Sequence, residues 1–325
     1  MANCKNYMDQ GGDNMVIGGS IHLDGKVYGL VPGKMFFVDY VNGNDNNDGQ
    51  SFSAAFKTIE YALTKCTTLK NDVVYLIGNG TSQTAAAAID WNVSFCHLIG
   101  LSAPGLMEPR SRIKCGAALA TTPFFTISAS GCIFKNISFW HETSDAAGLV
   151  NVSITGGRNY FENCQFAGGV GANAVTGERS LVISGANGGN TFRHCVIGND
   201  TINVPDGGAG VEFVTGAMHN LFEDCIFNVS TNGTTYVHVL VAAAAGIGRL
   251  NMFKRCIFIN EGSGVQAEVF KLGAAIPVAS RPYLIDCWEY GATEWETTNN
   301  GLLTNVTIAA NTTGVATGNI IKITS

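Results

Sequence analysis

Five cysteines, Cys164, Cys195, Cys225, Cys256 and Cys287, stand beside charged or polar side chains, as in the stretch NLFEDCIFNVS, where Cys225 follows Glu223 and Asp224. A thiol in such company raises the question of nucleophilic chemistry, which needs a thiolate and a base to activate it. No base recurs beside these cysteines, and successive positions differ by 31, 30, 31 and 31 residues. That spacing is structural, and a thiol nucleophile is not expected. The chain has ten cysteines but no C-x-x-C pair and no Cys/His cluster with zinc-site spacing, so neither a metal site nor a disulfide framework is expected, and no cofactor is implied.

Carboxylates are the other candidates. Glycoside hydrolysis requires two of them about 5–9.5 Å apart on one exposed face, one held protonated by its surroundings. Asp200, Asp206 and Glu212 fall in the loop and strand of one repeat and are the best catalytic candidates, against a reading as solvated loop acids. Asn44-Asp45-Asn46-Asn47-Asp48-Gly49 half-matches a calcium loop, but Ala55 stands where the twelfth ligand, a Glu, belongs, which favours a plain turn-rich loop. His97, His141, His219 and His238 have no partner evident in the sequence and default to satisfied structural histidines.

The elements that would position these groups are repeats. YFENCQF, TFRHCVI, LFEDCIF, MFKRCIF and YLIDCWE begin at Tyr160, Thr191, Leu221, Met252 and Tyr283, and an earlier copy, IFKNISF from Ile133, has Ile137 at the cysteine position. A second β-rich run ending in small residues precedes each phrase: LVNVSITGG, SLVISGANGG, GVEFVTGA, VHVLVAAAAG and EVFKLGAA. Each unit reads as strand, Gly/Ala turn, short strand ending in Phe, polar two-residue corner, strand carrying Cys-x-Phe, then a variable loop. Units of this length with three short strands and no helical period predict an all-β parallel β-helix, a solenoid whose equivalent residues stack about 4.8 Å apart.

Three internal columns follow. Phe134, Phe161, Phe192, Phe222, Phe253 and Leu284 form the first; Ile137 and the five cysteines the second; Phe139, Phe166, Ile197, Phe227 and Phe258 the third. Outside them, Lys135, Glu162, Arg193, Glu223 and Lys254 alternate in sign before Ile285, as a stacked column of charges requires.

Composition agrees. Gly is 40 of 325 residues, charged residues are 14% and hydrophobic residues 46%, the balance of many short buried segments joined by tight turns. The formal net charge of −6 with scattered Lys and Arg argues against a nucleic-acid partner. The most apolar run, VHVLVAAAAGIG, is too short to cross a bilayer, and MANCKNYMDQGG lacks the pattern of a secretory signal, so no membrane partner is expected and synthesis in a cytoplasm without secretion is.

Residues 34–66 begin with the strand FFVDYV, pass through the polar loop, and end in SAAFKTIEYALTKC, whose Phe56, Ile59, Ala62 and Leu63 have helical spacing. A short amphipathic helix there would cap the solenoid. This segment, with YV, GNDNNDGQS and AFKTIEYAL, resembles the N-terminal segment of pectate-lyase-like right-handed β-helix proteins, a group that includes secreted polysaccharide lyases and bacteriophage tailspikes and other virion proteins. Residues 1–33 hold too little apolar material for a core, apart from Val16-Ile17 and a possible hairpin turning at Asp24-Gly25. Their phrase YMDQGGDNMVIGGSIHLDGK looks like a short segment of phage structural proteins, particularly head-associated ones, and marks Tyr7, Gln10, Gly11, Gly12, Val16, Ile17, Gly18 and Gly19 as a partner-binding arm.

The division expected is thus an arm at 1–33, a β-helix at 34–290 capped at 34–66, and a C-terminal β cap or oligomer element at 291–325, where NVTIAA and NIIKITS read as strands. Trp288, Tyr290 and Trp295 cluster at that junction and suit cap packing or an oligomer interface better than sugar binding. Of the motifs of polygalacturonase-like enzymes only Arg112-Ile113-Lys114 occurs, ahead of the repeats and without paired acids, and the calcium and arginine hallmarks of pectate lyases are not found. The resemblance then implies a non-enzymatic virion protein: a capsid decoration (cement) protein gripping the major capsid protein or another virion component through the arm, assembled as a homotrimer. The alternative it leaves open is a tailspike that binds or hydrolyses a host surface glycan.

Overall fold

A computed structural model describes residues 33–116, 122–142, 149–168, 176–185, 187–273, 276–297 and 302–304, with the backbone alone at 15–17, 20–23, 26–27 and 303–304. The chain winds into a right-handed parallel β-solenoid of about 6 turns. Its faces are parallel sheets of seven, ten and eight strands, each strand paired with its counterparts in the coils before and after. Most strands have only three residues because a corner must follow: Tyr160–Glu162 and Gln165–Ala167 are one coil's contribution to the ten- and eight-strand sheets.

The predicted columns are the register of these sheets. Phe134, Phe161, Phe192, Phe222, Phe253 and Leu284 are successive partners in the ten-strand sheet. Their rings stack almost parallel, with Phe192 at 4.6 Å from Phe161 and 4.4 Å from Phe222. Phe139, Phe166, Ile197, Phe227 and Phe258 pair likewise in the eight-strand sheet, where the next partner is the buried Glu289. Ring stacking adds specific contact energy to the burial of large apolar surfaces.

The corner differs from the sequence reading in one respect. The short strand ends one residue beyond the Phe, and the following strand starts just after the cysteine, so Cys164 to Cys287 sit in the bend itself. The residue before Ile137 and before each of the five cysteines, Asn136, Asn163, His194, Asp224, Arg255 and Asp286, is left-handed with φ between 51° and 59°. Asn, Asp and His tolerate that conformation best among residues with a Cβ, which accounts for the polar corner.

At the N-terminal end, the strand Met35–Val38 is the first rung of the ten-strand sheet, followed by a single α-helix among the described residues, Ile59–Lys65. Thr58 caps it by accepting from Tyr61 N at 3.2 Å, and Ile59, Ala62 and Leu63 are buried. Phe56 packs against Phe36 and Tyr61 and closes the core, as a terminal cap must. At the other end, Ala292–Glu294 pairs parallel with Gln266–Glu268, and Trp295 packs on Phe258 and Phe270. The NVTIAA and NIIKITS segments lie outside the described residues. In the arm, the backbones of Met15–Ile17, Ser20–Leu23 and Lys26–Val27 form an antiparallel sheet that contains the expected hairpin. Tyr7, Gln10, Gly11, Gly12, Gly18 and Gly19 lie outside the described residues, as do the side chains of Val16 and Ile17.

Candidate functional site

The cysteine column occupies the dry interior. Cys164 to Cys287 are all buried and free. Each thiol donates to a carbonyl of its own bend or of the Phe one coil back, as in Cys225 to Phe192 O at 3.4 Å and Cys256 to Phe222 O at 3.4 Å. Burial pushes the Cys195, Cys225 and Cys256 thiols well above their ordinary range, and the bond to Cys256 followed by burial does the same for Cys287. A thiol that is neither accessible nor ionised attacks nothing.

The polar corner outside it is an ion-pair ladder. Lys135 lies 3.1 Å from Glu162, and Glu223 takes Arg193 at 2.9 Å, Lys254 at 3.0 Å and Arg255 at 2.9 Å, with a further bond from Arg255 to Asp224 at 2.6 Å. The bonds from Lys254 and Arg255 hold the Glu223 carboxyl below its ordinary range, and the Arg255 bond does so for Asp224. These acids are committed to neighbours in the stack.

The three candidate acids part company once the chain turns its corner. Asp200 lies on the strand Val196–Asn203 of the eight-strand sheet, Glu212 on Ala209–Val214 of the seven-strand sheet, and Asp206 on the exposed turn between them. Glu212 is paired with Arg179 Nε at 2.7 Å. Asp206 Oδ1 accepts from Thr235 N at 2.9 Å and so ties its turn to the next coil. Asp200 alone faces an open groove, of about 430 Å³, whose other wall is the loop carrying Ala103, Gly105, Met107, Glu108 and Arg110.

Glu108 and Arg110 were missed by sequence reasoning, and the one available signal was the Pro/Gly-rich loop composition of SAPGLMEPR. The loop is held to the sheet by Glu108 N donating to Gln165 Oε1 at 3.1 Å and by Glu108 pairing with Arg112 at 3.1 Å. Arg112 in turn lies over the Trp140 ring at 4.4 Å. A groove with carboxylates, a guanidinium on its rim and short apolar side chains can hydrogen-bond hydroxyl-rich ligands.

The half-match to a calcium loop is spent on turns. Asp45 accepts from Lys57 N, Thr58 N and the Thr58 hydroxyl at 2.8–3.1 Å, Asp48 from Gln50 N at 2.9 Å, and Gly49 sits at φ 71°. Of the three junction aromatics only Trp295 is packed; Trp288 and Tyr290 point outward, 40% and 44% exposed. The histidines are not uniformly satisfied: His97 Nδ1 accepts from Ile133 N at 3.0 Å, whereas His141 stacks on Phe124 and His238 packs edge-on to Tyr236 and Phe258.

A second internal ladder escaped the sequence reading. Asn159, Asn190, Asn220 and Asn251 are buried one residue ahead of the phrases that begin at Tyr160, Thr191, Leu221 and Met252, and Asn190 Nδ2 donates to Asn220 Oδ1 at 3.1 Å, as Asn220 Nδ2 does to Asn251 Oδ1 at 2.8 Å. The bottom member, Asn251, donates to Ala217 O and Gly248 O, both at 3.0 Å. Amides carry donors and acceptors on one plane, which suits stacking one coil above another.

Neither a protein-family model nor a curated protein sequence matches the chain. Solved structures do. A pectin methylesterase crystallised with a hexasaccharide is similar over 80% of each chain, at 13% identity and a TM-score of 0.53. Pectate lyase Pel9A is similar over 86% of this chain and 80% of its own, at 14% identity and a TM-score of 0.51. ORF18 of Geobacillus virus E2 is similar over 72% of this chain and 49% of its own, at 15% identity and a TM-score of 0.45, too loose a likeness to argue from. The chain therefore shares the pectate-lyase-like parallel β-helix fold, and at these identities the shared fold leaves activity open.

Proposed function

We propose that the chain is a non-enzymatic structural protein of a phage virion: a capsid decoration protein that grips the shell through residues 1–33 and presents its solenoid outward, as a homotrimer. The observation that supports this reading is the commitment of the outward acids. Glu162, Glu223, Asp224 and Glu212 are paired with basic neighbours, and Asp206 secures a turn, so the repeated surface behaves as a braced scaffold. The test is binding of purified protein to shells lacking it. Full-length chain should saturate the shell, a chain without residues 1–33 should not bind, and equal binding by both would sink the reading.

The second reading, a tailspike-like glycan binder or depolymerase, is favoured by the groove that Asp200 shares with Glu108 and Arg110. It requires that host surface polysaccharide be bound or cut, and that Asp200→Asn abolish the effect. Asp206→Asn and Glu212→Gln, outside that groove, serve as comparisons.

A further inference from the structure

The ten-strand sheet turns an apolar stripe outward. One residue ahead of each inward Phe or Leu stand Ile133, Tyr160, Thr191, Leu221, Met252 and Tyr283, successive partners in the sheet. Alternation along the strand points them away from the core, yet all six are half-buried and five are apolar or aromatic. At one strand spacing per rung the stripe runs about 24 Å along the shaft.

Its two edges differ. On one lies the ion-pair ladder of Lys135, Glu162, Arg193, Glu223 and Lys254. On the other lies the bend that enters the strand, where Gly131, Arg158, Gly189, His219 and Leu250 hold equivalent places, left-handed with φ between 57° and 78°. Their amides reach the next coil alike, as Arg158 N does to Gly188 O at 2.9 Å and His219 N to Arg249 O at 3.0 Å. Arg158 is exposed and takes no part in the ion pairs among the described residues. Arg249 donates from Nε to His219 Nε2 at 3.3 Å and adds a cation at that rung.

Rung by rung the two edges are complementary. Gly131 is level with Lys135, Arg158 with Glu162, Gly189 with Arg193, His219 and Arg249 with Glu223, and Leu250 with Lys254. Each acid of the ladder is thus level with a cation on the far edge, and each base with a glycine or a leucine. Within one chain the strand holds the edges about 13 Å apart. They meet when copies pack along the stripe.

We propose that this face joins copies of the chain to one another, three shafts lying parallel and in register with the stripe at their rotation axis. The proposal rests on the homotrimer of the reading above and names its interface. Glu162 of one copy then faces Arg158 of the next, Glu223 faces His219 and Arg249, and Lys135 and Arg193 face glycines that leave them room. Antiparallel shafts would set ladder against ladder. The ladder has the same order of signs from either end, so Lys135 would oppose Lys254, Glu162 would oppose Glu223, and Arg193 its own equivalent, all repulsive. Ten rungs make a face about 45 Å long and about 15–20 Å wide, on the order of the 800 Å² that one partner gives to a stable interface.

The experiment uses the full chain. Sedimentation should give three times the chain mass. Leu221→Glu sets three carboxylates on the axis and should weaken association by about a hundredfold or more, while the dissociated chain keeps its β-sheet circular dichroism. For register, Arg158→Cys and Glu162→Cys are combined in a chain whose Cys4 and half-buried Cys66 are changed to Ser, and a short bis-maleimide is added. The product should be a covalent trimer linked from position 158 of one copy to position 162 of the next, and neither cysteine substitution alone should give one. A trimer that tolerates Leu221→Glu, or that yields no such link, overturns this interface and leaves the homotrimer standing. A chain that stays monomeric at every concentration reached overturns both, the stripe then being covered by something other than a second copy.

Discussion

The repeated coils and the N-terminal cap hold themselves together by opposite means. In the coils each core residue finds its equivalent above and below: Phe on Phe, Cys on Cys, Asn on Asn, every 30 or 31 residues. In the cap nothing repeats, and buried or half-buried carboxylates do the organising. Asp39 accepts from Val41 N and Asn79 Nδ2, Asp45 from Lys57 N and Thr58 N, and Asp72 from Lys34 N and Thr67 N. Repetition makes a stiff shaft whose interior is closed to chemistry. Accessible polar groups gather where repetition stops, in the cap and in loops such as the one that carries Glu108.

Substitutions can break this contrast. Phe192→Ala removes a ring stacked on both sides and wholly buried, and should cost about 3–5 kcal/mol in a urea melt. Phe52→Ala, at a ring of the cap that is 64% exposed, should cost about 1 kcal/mol or less. Equal losses would mean that the column is not the source of stability.

Acid should act next. Burial holds His97 and His141 down to about 4 and His238 down to about 3. The unfolded chain takes up these protons below about 6.5 and the folded chain does not, so stability is present above that pH and is lost as pH falls toward 4. The loss approaches about 3 kcal/mol per histidine at pH 4. A Tm that stays flat from pH 7 to pH 4 would contradict the buried neutral state, and His238→Gln should shallow the slope.

Asn220→Ala interrupts the amide ladder and strands groups on Asn190 and Asn251, for an expected loss of about 2 kcal/mol in thermal or urea melts. Thr58→Ala removes the helix cap together with the hydroxyl's bond to Asp45, about 1 kcal/mol. Its effect should show as faster hydrogen exchange confined to Ile59–Lys65, leaving amides of the coils as slow as before.

The parts that repeat were legible in the sequence, because a parallel stack places identical residues on one another and so prints its register as a fixed interval. The Phe, Cys and charge columns follow from that interval, and the capping helix from the helical spacing of Phe56, Ile59, Ala62 and Leu63. The asparagine ladder is equally periodic but less conspicuous, since Asn159, Asn190, Asn220 and Asn251 stand just before the aromatic phrases and an Asn ahead of a turn-rich corner is ordinary by type. The left-handed bend was hidden because Asn, His, Asp and Arg share its conformation without sharing chemistry. The groove was not legible at all. Asp200 meets Glu108 and Arg110 only through folding, while Asp206 and Glu212, its neighbours in sequence, are carried to other faces by the corner of the coil.

The most direct test of the functional account is the position of the chain in an intact particle, by cryo-electron microscopy with labelled copies. The account predicts many copies spread over the shell, each contacting it through residues 1–33. A few copies confined to the tail tip, with the groove beside Asp200 turned toward the host, would contradict it.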